Sequence, residues 1–330
     1  MSKFPENMLP YYAEDFLDYI DSIQNKSANT IKEYYYDLLL FFRFLKKRRG
    51  FLEKEETIED ASVNNISLDL LNSVRLNDFY AFLSYLSSER QASPSTRSRK
   101  VATLRSFFKY CHTKAKIIES NPANELESPK IGRRLPRYLE LEESINLLKS
   151  IEGKNKERDY CMILLFLNCG LRLSELVSIN IGDLRQDNTL VVRGKGSKER
   201  TIYLTDSVSE AIDNYLMVRP QPNEGHEDAL FLSERKNRIS PKTVEYTVKK
   251  YIKKANLDPK KYSTHKLRHT AATLMYQHGD VDIRSLQEIL GHESIATTEI
   301  YTHVSSKRLK QAVSSNPLAN FKIDEDENES

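Results

Sequence analysis

Thr189-Leu190-Val191-Val192-Arg193-Gly194-Lys195-Gly196-Ser197-Lys198-Glu199-Arg200-Thr201-Ile202-Tyr203-Leu204 is the stretch that decides the fold class of this 330-residue chain. Thr189–Val192 and Thr201–Leu204 are rich in β-branched and apolar residues, and they flank a basic turn that carries Gly194 and Gly196. β-Branched side chains suit extended backbone and glycine supplies the positive φ of a tight reversal, so the run predicts an antiparallel hairpin. On both sides the periodicity changes from two to 3.6. Asp159–Asn168 is a nearly all-apolar helix, hence buried. Leu139-Glu140-Leu141-Glu142-Glu143 opens another, and helices dominate again from Pro241. Ala229–Leu232 reads as a third short strand. The expected fold is mainly α with a small antiparallel β-sheet in the second of two domains.

The amino-terminal part reads as helices throughout. Tyr11–Ile23 carries Tyr12, Phe16, Tyr19 and Ile20 at helical spacing. Ser27-Ala28-Asn29-Thr30 offers capping chemistry to Ile31–Arg49, which ends in four cations and is stopped by Gly50. Leu76–Leu86 follows, then a helix opened by Ser93-Pro94 that runs to about Thr113. Glu53–Ser67 is polar and reads as a surface excursion. Proline-containing, basic sequence up to Pro136 predicts a linker. The expected division is a helical domain at 1–125, a linker at 126–136, a second domain at 137–320 and an acidic, disordered tail at 321–330.

The net charge is only +3, but the last ten residues hold five acids and one lysine, so the body of the chain is more cationic than the total suggests. A cationic body favours an acidic partner. Cys111, Cys161 and Cys169 form no CxxC pair, and the latter two lie in apolar sequence, which points to a reduced compartment. The first residues lack the apolar core of a signal peptide, and the longest apolar run, Met162–Leu167, is too short to span a bilayer. A cytoplasmic protein with no membrane partner is expected.

Arg172, Lys195, His265, Arg268, His292 and Tyr301 are the candidates for chemistry. Arg172 follows Gly170 beside the buried helix, where its partner is either Glu175 or an anion. Lys195 is at the hairpin tip, within reach of a phosphate; no GxxxxGK[ST] surrounds it. His265 and Arg268 are three apart on one helix face, where an arginine forks two phosphate oxygens and an imidazole moves a proton. Ser263 and Thr264 precede them as caps, and His269 points elsewhere. His292 follows Gly291, which ends the preceding helix. Tyr301 is one of 18 tyrosines and carries little weight by itself. No HExxH is present, and the cations between His265 and His269 oppose a metal, so neither metal nor cofactor is expected.

In order along the chain, Gly170-Leu171-Arg172-Leu173-Ser174-Glu175-Leu176, Gly194–Arg200, His265-Lys266-Leu267-Arg268-His269 and Leu290-Gly291-His292 with Tyr301-Thr302-His303-Val304 resemble the tyrosine recombinases. The nearest likeness is to the bacterial Xer recombinases that resolve chromosome dimers. Ser27–Tyr34 and Ser95–Phe108 are similar to the family's core-binding domain. None of the six candidates is substituted. The resemblance implies a two-domain, C-shaped clamp around DNA and a metal-free transesterification. Arg172 and Arg268 would hold the scissile phosphate with help from His292. Lys195 would protonate the leaving 5′ oxygen, His265 would assist proton transfer, Tyr301 would form a 3′-phosphotyrosyl link, and Glu175 would orient its neighbours. Thr30, Lys32, Arg97, Arg99, Lys100 and Arg105 are the implied DNA contacts. Implied partners are a double-stranded recombination site, a homotetramer or a heterotetramer with a related recombinase on two duplexes, and an activator such as a DNA translocase. Leu318 and Phe321 would anchor the carboxy-terminal segment in a neighbouring subunit or within the same one. The polar excursion and the acidic tail depart from the family's shortest members. Alternatives are a mobile-element integrase or transposase of the same family, a type IB topoisomerase, and a non-catalytic DNA-binding protein.

Overall fold

The computed structural model describes residues 8–52, 56–130, 132, 137–194, 198–279, 281–291 and 297–298. The chain divides into two compact units, Met1–Arg133 and Arg134–Ser330. The acidic tail and the carboxy-terminal anchors Leu318 and Phe321 lie outside the described residues, as does part of the segment read as a linker.

The first unit is built from α1 (Tyr11–Ser22), α2 (Ala28–Arg48), α3 (Leu68–Asn72), α4 (Leu76–Ser88) and α5 (Pro94–Thr113). Ser27 caps α2 by accepting from the Thr30 amide at 3.3 Å, and Ser93 caps α5 by accepting from Thr96 at 3.1 Å. Pro94 occupies the first turn of α5, where its missing donor costs nothing. The core is aromatic: Phe16, Phe41, Phe42, Phe79, Phe82, Phe107 and Phe108 are all fully buried. They meet edge to face, Phe41 on Phe82 at 5.3 Å and Phe79 on Phe108 at 5.1 Å, contacts worth about 1 kcal/mol each beyond area burial.

The expectation of a surface excursion at Glu53–Ser67 is overturned. Ala61, Val63 and Ile66 are buried, the last two in the main core, and Tyr12 donates to the Ile66 carbonyl at 3.2 Å. Arg43 and Lys46 of α2 donate to the carbonyls of Ala61 and Ser62. Long cationic side chains thus strap down a segment whose apolar residues are too few to show a period.

The second unit holds α6 (Leu141–Lys149), α7 (Lys156–Cys169), α8 (Leu173–Ser178), β1 (Thr189–Arg193), β2 (Glu199–Tyr203), α9 (Asp206–Val218), α10 (Pro241–Lys254), α11 (Thr264–His278) and α12 (Ile283–Leu290). α7 is buried on nearly every side and packs against α9 and α11. β1 and β2 pair antiparallel from Thr189 opposite Tyr203 to Arg193 opposite Glu199. Ala229–Leu232 is not a third strand. It makes only isolated bridges, Asn180 with Ala229 and Leu232 with Arg238, because its four residues are buried as a crossing loop rather than aligned with the hairpin. Gly170 ends α7 in the left-handed region at φ +61°, which L side chains rarely adopt, and a Cβ there would stand 2.8 Å from Leu290 Cδ2, so a larger residue would be strained and would displace that side chain.

Candidate active site

The start of α8, the inner face of β2, α11 and the end of α12 converge on one carboxylate. Glu175 is 1% exposed. Its Oε1 accepts from Arg172 Nη1 and Arg200 Nη1, both at 2.7 Å. Its Oε2 accepts from the Arg172 backbone amide at 2.8 Å and from Arg200 Nη2 at 3.0 Å, with Arg268 Nη1 at 3.8 Å. The local cause is helix capping: Arg172 is the N-cap of α8 and Glu175 lies three residues into it, where a carboxylate satisfies the free amide. Burial pushes the Glu175 carboxyl up, but the bonds from Arg200 and Arg172 outweigh it and hold the group at about 2.

The same three arginines secure the end of α12. Arg200 Nε donates to the Ile289 carbonyl at 3.1 Å, Arg268 Nη2 to Leu290 at 2.6 Å and Arg172 Nη2 to Gly291 at 2.8 Å. Carbonyls at a helix carboxy terminus lack helical donors and carry the negative end of the dipole, so each takes one guanidinium. Arg268 Nη1 also donates to the Gly170 carbonyl at 2.5 Å. Gly291 closes α12 at φ +62°, as the sequence predicts.

His265 is in the first turn of α11 and Arg268 one turn on, so both share a face. Ser263 is at the N-cap as expected, but its side chain makes no capping bond. The expectation for His269 is corrected: its Nε2 lies 3.1 Å from His265 Nε2, with ring centroids 4.5 Å apart, because residues four apart on a helix are neighbours. The His265 pKa is lowered, first by desolvation and then by the positive field of Lys266, Arg268 and Arg172. A neutral imidazole is therefore favoured, which can accept a proton.

Arg172 and Arg268 are thus brought together through Glu175, with His265 in their field. Lys195, His292 and Tyr301 lie outside the described residues. The hairpin does bring Gly194 beside the cluster: a Cβ there would lie 3.8 Å from Glu175 Oε1. Among the described residues no group of three His, Cys, Asp or Glu could hold a metal ion, and no helix is long and apolar enough to cross a membrane. Sequence reasoning missed Arg200. Strand alternation was the available signal, since Arg200 shares an inward face with buried Ile202.

The six candidate DNA contacts have different environments. Lys32 is exposed, and Thr30 Oγ1 pairs with Ser27 Oγ at 2.9 Å. Arg97 is half-buried. Arg105 is exposed and its guanidinium bonds the Leu126 carbonyl. Arg99 and Lys100 are held by Asp37, and Lys100 is buried, so its ammonium is turned into the unit rather than to the surface.

Residues 137–308 match the phage integrase family, and residues 13–115 match the N-terminal SAM-like domain of phage integrases. Over 310 residues the chain is 56% identical to a tyrosine recombinase XerC from Caldanaerobacter subterraneus subsp. tengcongensis, covering 94% of this chain and 88% of that one. The chain belongs to the tyrosine recombinases of the phage integrase family. It is accordingly a DNA-cleaving and rejoining enzyme of the site-specific recombinase type. A tyrosine recombinase XerD from Proteus mirabilis is 34% identical to this recombinase over 302 residues, 90% of each chain. Among solved structures, XerH bound to palindromic difH substrate in a post-cleavage complex matches with a TM-score of 0.68 at 25% identity, covering 92% of this chain and 84% of that one. The Tn1549 transposon integrase with circular intermediate DNA has a TM-score of 0.68 at 21% identity and shares the fold.

Proposed function

We propose that this recombinase resolves chromosome dimers by cutting and rejoining duplex DNA at a specific site, with Arg172 and Arg268 as the phosphate receptor. The observation that carries the reading is the charge of the site: three arginines converge on one buried carboxylate, leaving two positive charges in excess. Such an excess suits an anion. Arg172 and Arg268 take the non-bridging oxygens and stabilise the pentavalent transition state, with His292 adding a hydrogen bond. Tyr301 Oη attacks phosphorus and the bond to the 5′ oxygen breaks. Lys195 gives that oxygen its proton, and His265 assists removal of the tyrosine proton. Charge that a metal supplies elsewhere comes from arginine, and the 3′-phosphotyrosyl ester conserves the bond for rejoining.

The XerC relative favours a chromosomal over a mobile-element role. In this reading both units bind the duplex, four copies act on two duplexes, alone or with a related recombinase, and a DNA translocase activates them. Lys32, Arg97 and Arg105 contact phosphates, with Thr30 at the start of α2; Arg99 and Lys100 brace that surface through Asp37. The test is a nicked suicide duplex carrying the site. A covalent protein–DNA band is expected with the wild type, none with Tyr301→Phe, and no change in chelator. An unchanged band with Tyr301→Phe overturns the nucleophile. Holliday-junction products from two-site plasmids separate recombination from simple relaxation of supercoils.

A further inference from the structure

Arg200 has no role in the reaction above, yet its guanidinium spans both oxygens of Glu175. Both of its Nη atoms donate to the carboxylate, its Nε donates to the Ile289 carbonyl, and its side chain is only 14% exposed. We propose that Arg200 is a positioning residue that neutralises Glu175 and fastens the β-hairpin to the end of α12, so that Arg172 and Arg268 meet the phosphate with their charge undiminished. The proposal rests on the recombinase reading.

The first argument is charge. Glu175 Oε1 stands 2.7 Å from both Arg172 and Arg200. With Arg200 present, the cluster of Arg172, Arg200, Arg268 and Glu175 carries two positive charges. Without it, the carboxylate cancels one of the two arginines that the phosphate needs. The charge stabilising the transition state falls by half, although neither receptor has been touched.

The second argument is mechanical. Arg200 is on β2, and the carbonyl it binds is in the last turn of α12. A single guanidinium therefore joins β2, which Lys195 precedes in sequence, to the end of α12, which His292 follows in sequence. The fit is close: a Cβ on Gly291 would meet Arg200 Cδ at 3.1 Å and Nη1 at 3.2 Å. Among the described residues, the titratable and charged groups placed against this pair are Arg172 from the start of α8, Arg268 from α11 and Cys169 at the end of α7, whose thiol burial pushes up to about 12; His265 lies in the field of the two arginines. α12 contributes carbonyls only.

The test uses the full chain and single-turnover cleavage of the suicide duplex by Arg200→Met and Arg200→Lys, each with and without Glu175→Gln. Arg200→Met is expected to slow cleavage about 100-fold while DNA affinity stays within about threefold. In the Glu175→Gln background the same substitution is expected to cost less than about tenfold, because no carboxylate remains to be neutralised and only the tie to the Ile289 carbonyl is lost. Arg200→Met is also expected to gain an acid-side pH dependence that the wild type lacks, as Glu175 titrates at higher pH. Equal losses in both backgrounds, or a loss confined to DNA affinity, overturn the proposal. Where Arg200→Met does not fold, Arg200→Lys decides: a rate within about tenfold of wild type supports it and any larger loss overturns it. Failure of the wild type to form any covalent band would instead strike the recombinase reading.

Discussion

Asp37 in the first unit and Glu175 in the second are both 1% exposed, and both are surrounded by cations. Asp37 takes Arg99 Nη1 and Lys100 Nζ at 2.5 Å and Thr103 Oγ1 at 2.8 Å, while Arg99 also reaches Glu33 at 3.1 Å. Two cations face two acids, so that cluster is balanced. Glu175 faces three arginines, one of which, Arg172, has a side chain 36% exposed. Under the proposed function the same residue types make a brace in one unit and an anion receptor in the other. The difference is the charge balance, not the chemistry of any single group.

The largest effect that can break this comparison is on stability. Asp37→Ala strands the buried Lys100 ammonium and is expected to cost about 3–5 kcal/mol in urea denaturation, the range for a buried pair that loses one partner. Its cleavage rate per folded molecule should match wild type. A folded but cleavage-dead variant would show that the Asp37 cluster is more than a brace.

A slightly smaller effect sharpens the other side. Glu175 is held at about 2 against an ordinary value of 4.5, so its folded state binds its proton more weakly than the unfolded state. Its stabilising contribution, about 3 kcal/mol, is complete above about pH 4.5 and is lost as pH falls towards 2. Denaturation curves between those limits should therefore be steeper in pH for wild type than for Glu175→Gln. Equal slopes would mean that the arginines do not hold the carboxylate ionised.

The smallest effect concerns the surface outside both clusters. Lys32 is exposed, so Lys32→Ala should leave stability unchanged and reduce the slope of log affinity against log salt by about one. An unchanged slope would remove Lys32 from the DNA contacts.

Much of the fold was legible because its signals are local. Ser27, Ser93 and Pro94 mark helix starts, Gly170 and Gly291 mark helix ends, and the alternation around Gly194 marks the hairpin. Arg172, His265 and Arg268 were legible as a group from spacing and motif order. The segment before Ile66 was misread because Ala61, Val63 and Ile66 owe their burial to Tyr12, Arg43 and Lys46, residues distant in sequence. The burial of Lys100, one of the implied DNA contacts, was hidden for the same reason, since its partner is 63 residues away.

By itself the sequence determined most of the helices, the hairpin and the family the chain belongs to. Periodicity, capping and motif order are properties of neighbouring residues. Only the tertiary structure decided which of 50 arginines and lysines gather on Glu175, and that Arg200 is among them. Coulomb attraction and desolvation act through space, so the charge of a site emerges only when α8, β2, α11 and α12 close on one carboxylate.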